Sequence, residues 1–284
     1  MDLTPYLLPK KPVVPIMKRA IAPKPTKNFI WNLLYGDIQR LQAMKSLDAA
    51  CGQLRNYWMF TKGAYCGLDR TYSQLVYGQQ GANNRRLINQ RGRDNIELVC
   101  GDMERHLDSL GEFDLCVSTG TIEYIDNAVT VLGSLSDTIH KAGNLLISMS
   151  GKMNLTETIV DYLISQYEIV ELIYMQSHEV HEWEQSYNRQ QQPSGKQKAA
   201  DFSVYSIPEA KIKEMTFYEM SLPNVAELHM GIYVRALNKN NEVTRLKKEK
   251  EGALTDDGIF VFKDMDLLSW GKPQAKFSVK KPVL

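Results

Sequence analysis

The chain has 284 residues, 43% of them hydrophobic and 24% charged, with a formal net charge of +1. That length holds one large or two small domains with a sizeable core, and the near-neutral balance excludes a global field directed at nucleic acid or an anionic membrane. No apolar run approaches the roughly 20 residues of a membrane span, and the N-terminus mixes proline and lysine without the apolar core of a signal peptide, so a cytoplasmic protein is expected.

Residues 1–27 are proline-rich and aperiodic and read as an extended arm. "NFIWNLLYGDIQRLQAM" (28–44) carries apolar residues at helical spacing and reads as a helix leading into the first strand. From 46 to 150 short apolar stretches (SLDAAC, AYCGLD, IELVCGD, FDLCVSTG, NLLISMS) alternate with polar or amphipathic segments of helical length. This βα alternation predicts a mostly parallel sheet covered on both faces, with ligands bound at the carboxyl edge of the strands. The stretch after Cys51-Gly52 reads as the first of those helices. Further on, "LTETIVDYLISQ" (155–166) predicts a helix and "YEIVELIYM" (167–175) and "ELHMGIYVRAL" (227–237) two more strands. A connection of about 50 residues separates those strands, long enough to be functional or mobile. A charged run after 238 reads as a solvated linker, and "GIFVFKDMDLLSW" beyond it as a strand or docking segment.

The domain expectation is therefore an arm (1–27), a catalytic domain (28–238) with a substrate-covering insertion (177–228), and a charged linker and tail (239–284). Cysteines 51, 66, 100 and 116 lack close C-x-x-C spacing and fall in or at the ends of apolar strands, which suits reduced, buried thiols. His140 and His229 fall in helix- or strand-like settings and read as structural, and His106 as a surface helix residue. The arginine group "NNRRLINQRGR" (83–93) lacks interleaved aromatics and reads as a solvated helix face.

Four stretches over residues 44–150, one per strand end, resemble the class I S-adenosylmethionine-dependent methyltransferases. The first is LDAACGQL, where Asp48 and Gly52 match the family signature and Ala50 and Leu54 replace glycines. The second, YCGLDR, ends a strand in Asp69; the third is VCGDM; the fourth is FDLCVSTGTIEYIDN. The resemblance implies an α/β three-layer sandwich with a mostly parallel seven-stranded sheet, preceded by an N-terminal helical arm, with an insertion between the last two strands. It implies S-adenosyl-L-methionine as cofactor. Ala50, Cys51 and Gly52 would pass beneath its methionine part, and Asp48 would orient loop amides or contact its ammonium group. Asp69, followed by Arg70, would take both ribose hydroxyls, as a carboxylate accepting two bonds can. Asp102, after Gly101, would bond the adenine amino group with Met103 packed on the ring. Ser118, Thr119 and Gly120 would lie beside the transferring methyl, with Glu123 and Tyr124 facing the substrate. An NAD-binding Rossmann domain is the nearest rival, but C-G-Q-L-R-N lacks the second and third glycines of G-x-G-x-x-G. Leu54 is expected to crowd the methionine end of the site.

Acceptor chemistry should come from the 177–228 insertion. "SHEVHEWEQSY" supplies His178 or His181 as general base, with Trp183 or Tyr187 as an acceptor wall. His-x-x-His with nearby glutamates leaves a divalent-ion role open, although no metal site is expected, and a solvated polar loop with one histidine capping a helix is the remaining alternative. The expected function is O-methylation of a small molecule or glycan. The alternatives are an RNA or other nucleic-acid methyltransferase, which the absence of N/D-P-P-Y/F after the fourth strand disfavours for base amino groups, and a catalytically degenerate partner subunit. The terminal arms offer surfaces for self-association or a partner.

Overall fold

The structure is a computed structural model that describes residues 25–104, 107, 110–150, 157–177, 202–208, 230–240 and 260–262. Its five helices are α1 (Pro25–Leu41), α2 (Tyr72–Gln80), α3 (Ala82–Arg91), α4 (Ala128–Asp137) and α5 (Glu157–Gln166). Its nine strands are β1 (Lys45–Ala49), β2 (Ala64–Asp69), β3 (Ile96–Cys100), β4 (Phe113–Thr119), β5 (Ile139–Ser150), β6 (Tyr167–Ser177), β7 (Phe202–Pro208), β8 (Met230–Lys239) and β9 (Phe260–Phe262). Hydrogen bonding orders them β7-β6-β8-β5-β4-β1-β2-β3-β9. The expected seven strands are all present, and two more, β7 from the insertion and β9 from the tail, extend them. By compactness the chain divides into two units, residues 41–119, 130–145 and 239–284 in one and residues 1–40, 120–129 and 146–238 in the other.

In the first unit, β1 pairs in parallel with both β2 (Asp48↔Gly67) and β4 (Asp48↔Val117), and β2 with β3 (Asp69↔Cys100). Strands buried on both faces need apolar side chains throughout, and Leu47, Ala49, Leu68, Val99, Leu115, Cys116 and Val117 are all nearly inaccessible. All four cysteines are free and buried. Because these strands run parallel, Ala49, Asp69, Cys100 and Thr119 all end on one edge. β9 adds antiparallel to β3 (Val99↔Val261), so the tail segment is a strand. At the opposite, amino-terminal ends, Asp114 on β4 accepts the N–H groups of Met44 (2.8 Å) and Lys45 (2.7 Å). His140 contributes a third bond to it at 2.5 Å, which is the structural role expected for this histidine. Lys239 buries its ammonium group at the end of α4, donating to the carbonyls of Ser136 (2.6 Å) and Ile139 (3.1 Å).

In the second unit, α1 buries Trp31, Leu34 and Ile38, spaced along one helical face. Asp37 lies among them, 4% exposed. Its carboxylate accepts bonds from the Tyr233 hydroxyl (2.8 Å), Arg235 Nε (2.6 Å) and Arg40 (3.1 Å). Arg235 also reaches Glu171 at 2.7 Å, so three segments far apart in sequence share one charged network. Burial and the neighbouring Asp37 push the Tyr233 phenol well up. β7 pairs antiparallel with β6 (Tyr174↔Tyr205). Among the described residues no helix is long and apolar enough to cross a membrane.

Candidate functional site

After Ala49 the chain turns sharply. Ala50, Gly52 and Leu54 have φ of +60°, +53° and +55°, so every second residue is left-handed. These are the three positions where the family signature has glycine. The backbone conformation survives at all three, although an alanine and a leucine bear it at about 1–2 kcal/mol each. Leu54 is 1% exposed, so the side chain that replaces the glycine is packed within the protein. At Gly52 the left-handed face is open, since a Cβ built there would meet no atom within 4 Å.

Main-chain bonds fix this turn. The Cys51 N–H donates to Leu68 O (2.9 Å) and the Leu54 N–H to Cys51 O (3.0 Å). Helix α2 presses against the turn through Gly78, where a Cβ would lie 2.4 Å from the carbonyl carbon of Gln53; only glycine allows that approach. The Asn84 amide donates to Gly78 O at 2.7 Å and to Gln53 O and Leu54 O at 3.4 and 3.5 Å.

The helix expected after Gly52 does not form. A single 3₁₀ turn, Tyr57–Met59, stands in its place. Left-handed Leu54 interrupts helical backbone there, and the guanidinium of Arg91 on α3 takes the carbonyls of Tyr57 (3.2 Å), Trp58 (3.5 Å) and Phe60 at the end of the turn. It also lies 4.9 Å from the Tyr57 ring centroid. Arg91 is therefore not part of a solvated face; within the arginine group that description fits Arg85 and Arg86, which are exposed.

Asp48 is fully buried. The parallel register pairs Tyr65 with Ser46, two residues before Asp48 and on the same face, so the long phenol reaches along the sheet. Its hydroxyl donates to Asp48 Oδ2 at 2.9 Å, and Asn56 Nδ2 donates to Asp48 Oδ1 at 3.2 Å. Both carboxylate oxygens are thus held by side chains, not by the loop amides that Asp48 was expected to orient. Burial raises the Asp48 carboxyl to about 7, against the opposing pull of the Tyr65 and Asn56 donors. Burial together with Asp48 and Asp69 pushes the Cys51 thiol well up, which leaves it an inert, protonated group.

Asp69 differs. Half-exposed at the end of β2, it accepts the Gly52 N–H at 2.8 Å through Oδ2 and the Thr71 N–H at 2.8 Å through Oδ1. One carboxylate thereby clamps the loop and keeps a lone pair on each oxygen for a ligand. Next to it, the Gly101 N–H donates to Asp69 O at 3.0 Å, and Cys100 Sγ approaches Arg70 O at 3.7 Å. Arg70 itself is exposed. Asp102 accepts the Glu104 N–H at 2.9 Å and Met103 is buried. On β4, Thr119 Oγ1 accepts from Asn56 at 3.0 Å. Ser118 is fully buried, and among the described residues its hydroxyl has no hydrogen-bond partner.

The first unit thus brings together Asp48, Ala50, Cys51, Gly52, Asp69, Arg70, Gly101, Asp102, Met103, Ser118 and Thr119 at the carboxyl ends of β1–β4. In the second unit, the Gly120 N–H donates to Ser148 O at 2.9 Å, and Tyr124 is 73% exposed in the 3₁₀ turn Ile122–Tyr124. Glu123 contributes its backbone to that turn, its side chain lying outside the described residues. So do His178, His181, Trp183 and Tyr187, as well as His106 and His229. Among the described residues, no group of three or more histidines, cysteines or acids is placed to hold a metal.

Sequence reasoning missed Tyr65, Asn56, Gly78, Asn84 and Arg91. Asn56 and Gly78 left a faint signal: a polar residue soon after the glycine turn, and a glycine inside a helix, where it is costly unless something approaches closely.

These residues suit S-adenosylmethionine. An open face over Gly52, a carboxylate with free lone pairs after β2, an acid beside a buried methionine after β3, and a buried unpaired hydroxyl on β4 form a donor and acceptor set for a nucleoside with a polar tail.

A family model described as a methyltransferase domain matches residues 41–250. No curated protein matches the chain. Among solved structures, the N-methyltransferase NodS from Bradyrhizobium japonicum WM9, in complex with S-adenosyl-L-homocysteine, is 12% identical; 75% of this chain and 88% of that one are covered, with a TM-score of 0.45. Coclaurine N-methyltransferase bound to N-methylheliamine and SAH is 13% identical over 81% of this chain and 77% of that one, with a TM-score of 0.47. The StiE O-MT is 10% identical over 77% and 75%, with a TM-score of 0.45. With well over half of its length matched by the family model, the chain belongs to the methyltransferase domain family, and its fold is the class I, Rossmann-like fold.

Proposed function

We propose that the protein is an S-adenosylmethionine-dependent methyltransferase that transfers the methyl group to an oxygen of a small molecule or glycan. The observation that carries the cofactor part is Asp69, which holds the Gly52 N–H with one oxygen and the Thr71 N–H with the other. A ligand bonded to the remaining lone pairs is bound to a group already fixed against the glycine turn. Bound there, S-adenosylmethionine supplies an electrophilic methyl on a sulfonium, which leaves as a neutral thioether after in-line displacement. The protein's share is alignment, which can supply roughly 7–11 kcal/mol of such a barrier.

Gly52 leaves the approach to the loop clear, Asp102 and Met103 offer an acceptor and an apolar surface for a purine, and the Ser118 hydroxyl offers a hydrogen bond that no other described residue uses. Left-handed backbone retained at Ala50 and Leu54, where the family signature has glycine, favours a working loop over a degenerate one. A hydroxyl acceptor must also lose a proton as its oxygen attacks, and His178 or His181 of the insertion would take it, with Trp183 or Tyr187 against the acceptor. The near-neutral charge favours an uncharged acceptor over a nucleic acid.

The test is methyl transfer from isotopically labelled S-adenosylmethionine to pools of small alcohols, glycans, amines and RNA. Label fixed on oxygen in the first two pools, reduced at least tenfold by His178→Ala or His181→Ala, is the expected result. Label in RNA alone, with a steep salt dependence, would refute the acceptor assignment.

A further inference from the structure

Asn56 stands between two strand ends. Its Nδ2 donates to Asp48 at 3.2 Å and to Thr119 Oγ1 at 3.0 Å, the first on β1 and the second on β4. The residue is 3% exposed, and its buried Oδ1 has no hydrogen-bond partner among the described residues. Buried amides are ordinarily satisfied at both ends, so this one is held for what it joins. We propose that Asn56 is the positioning residue of the cofactor loop, locking the 50–56 turn to the ends of β1 and β4 so that the open backbone at Gly52 is presented to the cofactor. The inference rests on the S-adenosylmethionine reading for its ligand, though not for the lock itself.

Asp48 is enclosed, with both oxygens taken by side-chain donors, and therefore acts through Asn56. The ionisable groups facing it are Tyr65 on β2, Asp69 at the end of β2, Cys51 in the loop and Cys116 on β4. None of these is a cation. The ionised carboxylate accepts from Tyr65 and Asn56 through charge-assisted bonds, one on each oxygen, and protonation replaces these with weaker neutral ones. Once protonated, it has a proton to donate, and the acceptors beside it are the Tyr65 hydroxyl oxygen and Asn56 Oδ1, of which Oδ1 is the one without a partner among the described residues. Turning the amide to receive that proton withdraws Nδ2 from Thr119 and opens the lock. The Asp48 carboxyl, raised by burial to about 7, would titrate where this matters.

Two variants test this in the full-length chain. Asn56→Asp keeps the shape, removes the donor and sets a second acid beside Asp48. Thr119→Val removes the far end of the bridge, and covers the case in which Asn56→Asp does not fold. Hydrogen–deuterium exchange of the 50–56 segment in ligand-free protein, corrected for intrinsic rates, reads the lock directly. The wild type is expected to be protected at pH 8 and about tenfold less so at pH 6, and each variant to be unprotected at both. Calorimetry with S-adenosylhomocysteine should give a Kd about tenfold weaker for each variant at pH 8, with the wild-type pH dependence flattened. Wild-type protection at pH 8 in a folded variant overturns the proposal. If the wild type shows the exchange pattern and yet binds no S-adenosylhomocysteine, the lock stands and the cofactor reading fails.

Discussion

Ala50 and Leu54 both occupy glycine positions, yet restoring glycine should have opposite effects at the two. Each sits near φ +60°, a conformation that costs an L-residue about 1–2 kcal/mol and glycine nothing. Against that gain, glycine makes the unfolded chain more flexible, by about 0.4–1 kcal/mol. At Ala50 little else changes, so Ala50→Gly should stabilise the protein by about 0.5–1 kcal/mol. At Leu54 the same backbone relief is outweighed by the lost side chain, which is 1% exposed. Truncating a buried leucine costs about 2–5 kcal/mol, which leaves Leu54→Gly destabilising by about 1–4 kcal/mol. Urea denaturation followed by far-ultraviolet circular dichroism reads both, provided the slope is unchanged and only the midpoint moves. A lower midpoint for Ala50→Gly, or no change for Leu54→Gly, would refute the argument that backbone strain at this turn is retained and that Leu54 repays it by packing.

Three further outcomes follow from the same geometry. Gly78→Ala forces α2 away from Gln53 and should cost about 1–3 kcal/mol, with weakened S-adenosylhomocysteine binding in protein that still melts cooperatively. Asp37→Ala leaves Tyr233 and Arg235 without their shared acceptor and should cost about 2–4 kcal/mol in thermal or urea denaturation, whereas Arg40→Ala, at the exposed end of the network, should be nearly silent. The His140–Asp114 pair predicts a stability window. Bonds to Asp114 and Lys141 raise the His140 pKa, so its contribution is complete below the ordinary histidine value near 6.5 and is lost as pH rises through the raised one. Burial pushes the Asp114 pKa up, but the bonds from His140, Lys45 and Met44 outweigh it and lower it. Its contribution is therefore present above the ordinary value near 3.8 and lost as pH falls through the lowered one. His140→Asn should remove the alkaline limb of that profile and shrink the acid limb to what the Lys45 and Met44 N–H bonds sustain.

The parallel sheet was legible because buried parallel strands write themselves as short apolar runs, and because their carboxyl ends fall next to the acids and glycines that matter. Asp48, Asp69 and Asp102 could be assigned to strand ends from spacing alone. What surrounds Asp48 could not. Tyr65 looks like any strand aromatic until the register pairs it with Ser46 and aims it at an acid 17 residues away. Asn56 reaches Thr119 across 63 residues, a contact that exists only after β1 and β4 have paired. The helix expected after Gly52 gives way to a turn that begins at left-handed Leu54 and ends on Arg91, more than 30 residues downstream. β9 lies in the apolar run that reads as a strand or docking segment, whereas β7 lies in the insertion, where the pattern predicts no strand and pairing with the β6 edge decides the conformation.

The proposed S-adenosylmethionine site at the carboxyl edge of β1–β4 depends on Asp69. Isothermal titration with S-adenosylhomocysteine, comparing the wild type with Asp69→Ala, tests it most directly. Saturable one-to-one binding by the wild type, weakened at least tenfold in a folded Asp69→Ala variant, is the predicted result. No saturable binding by the wild type, or equal affinity in the two proteins, would contradict it.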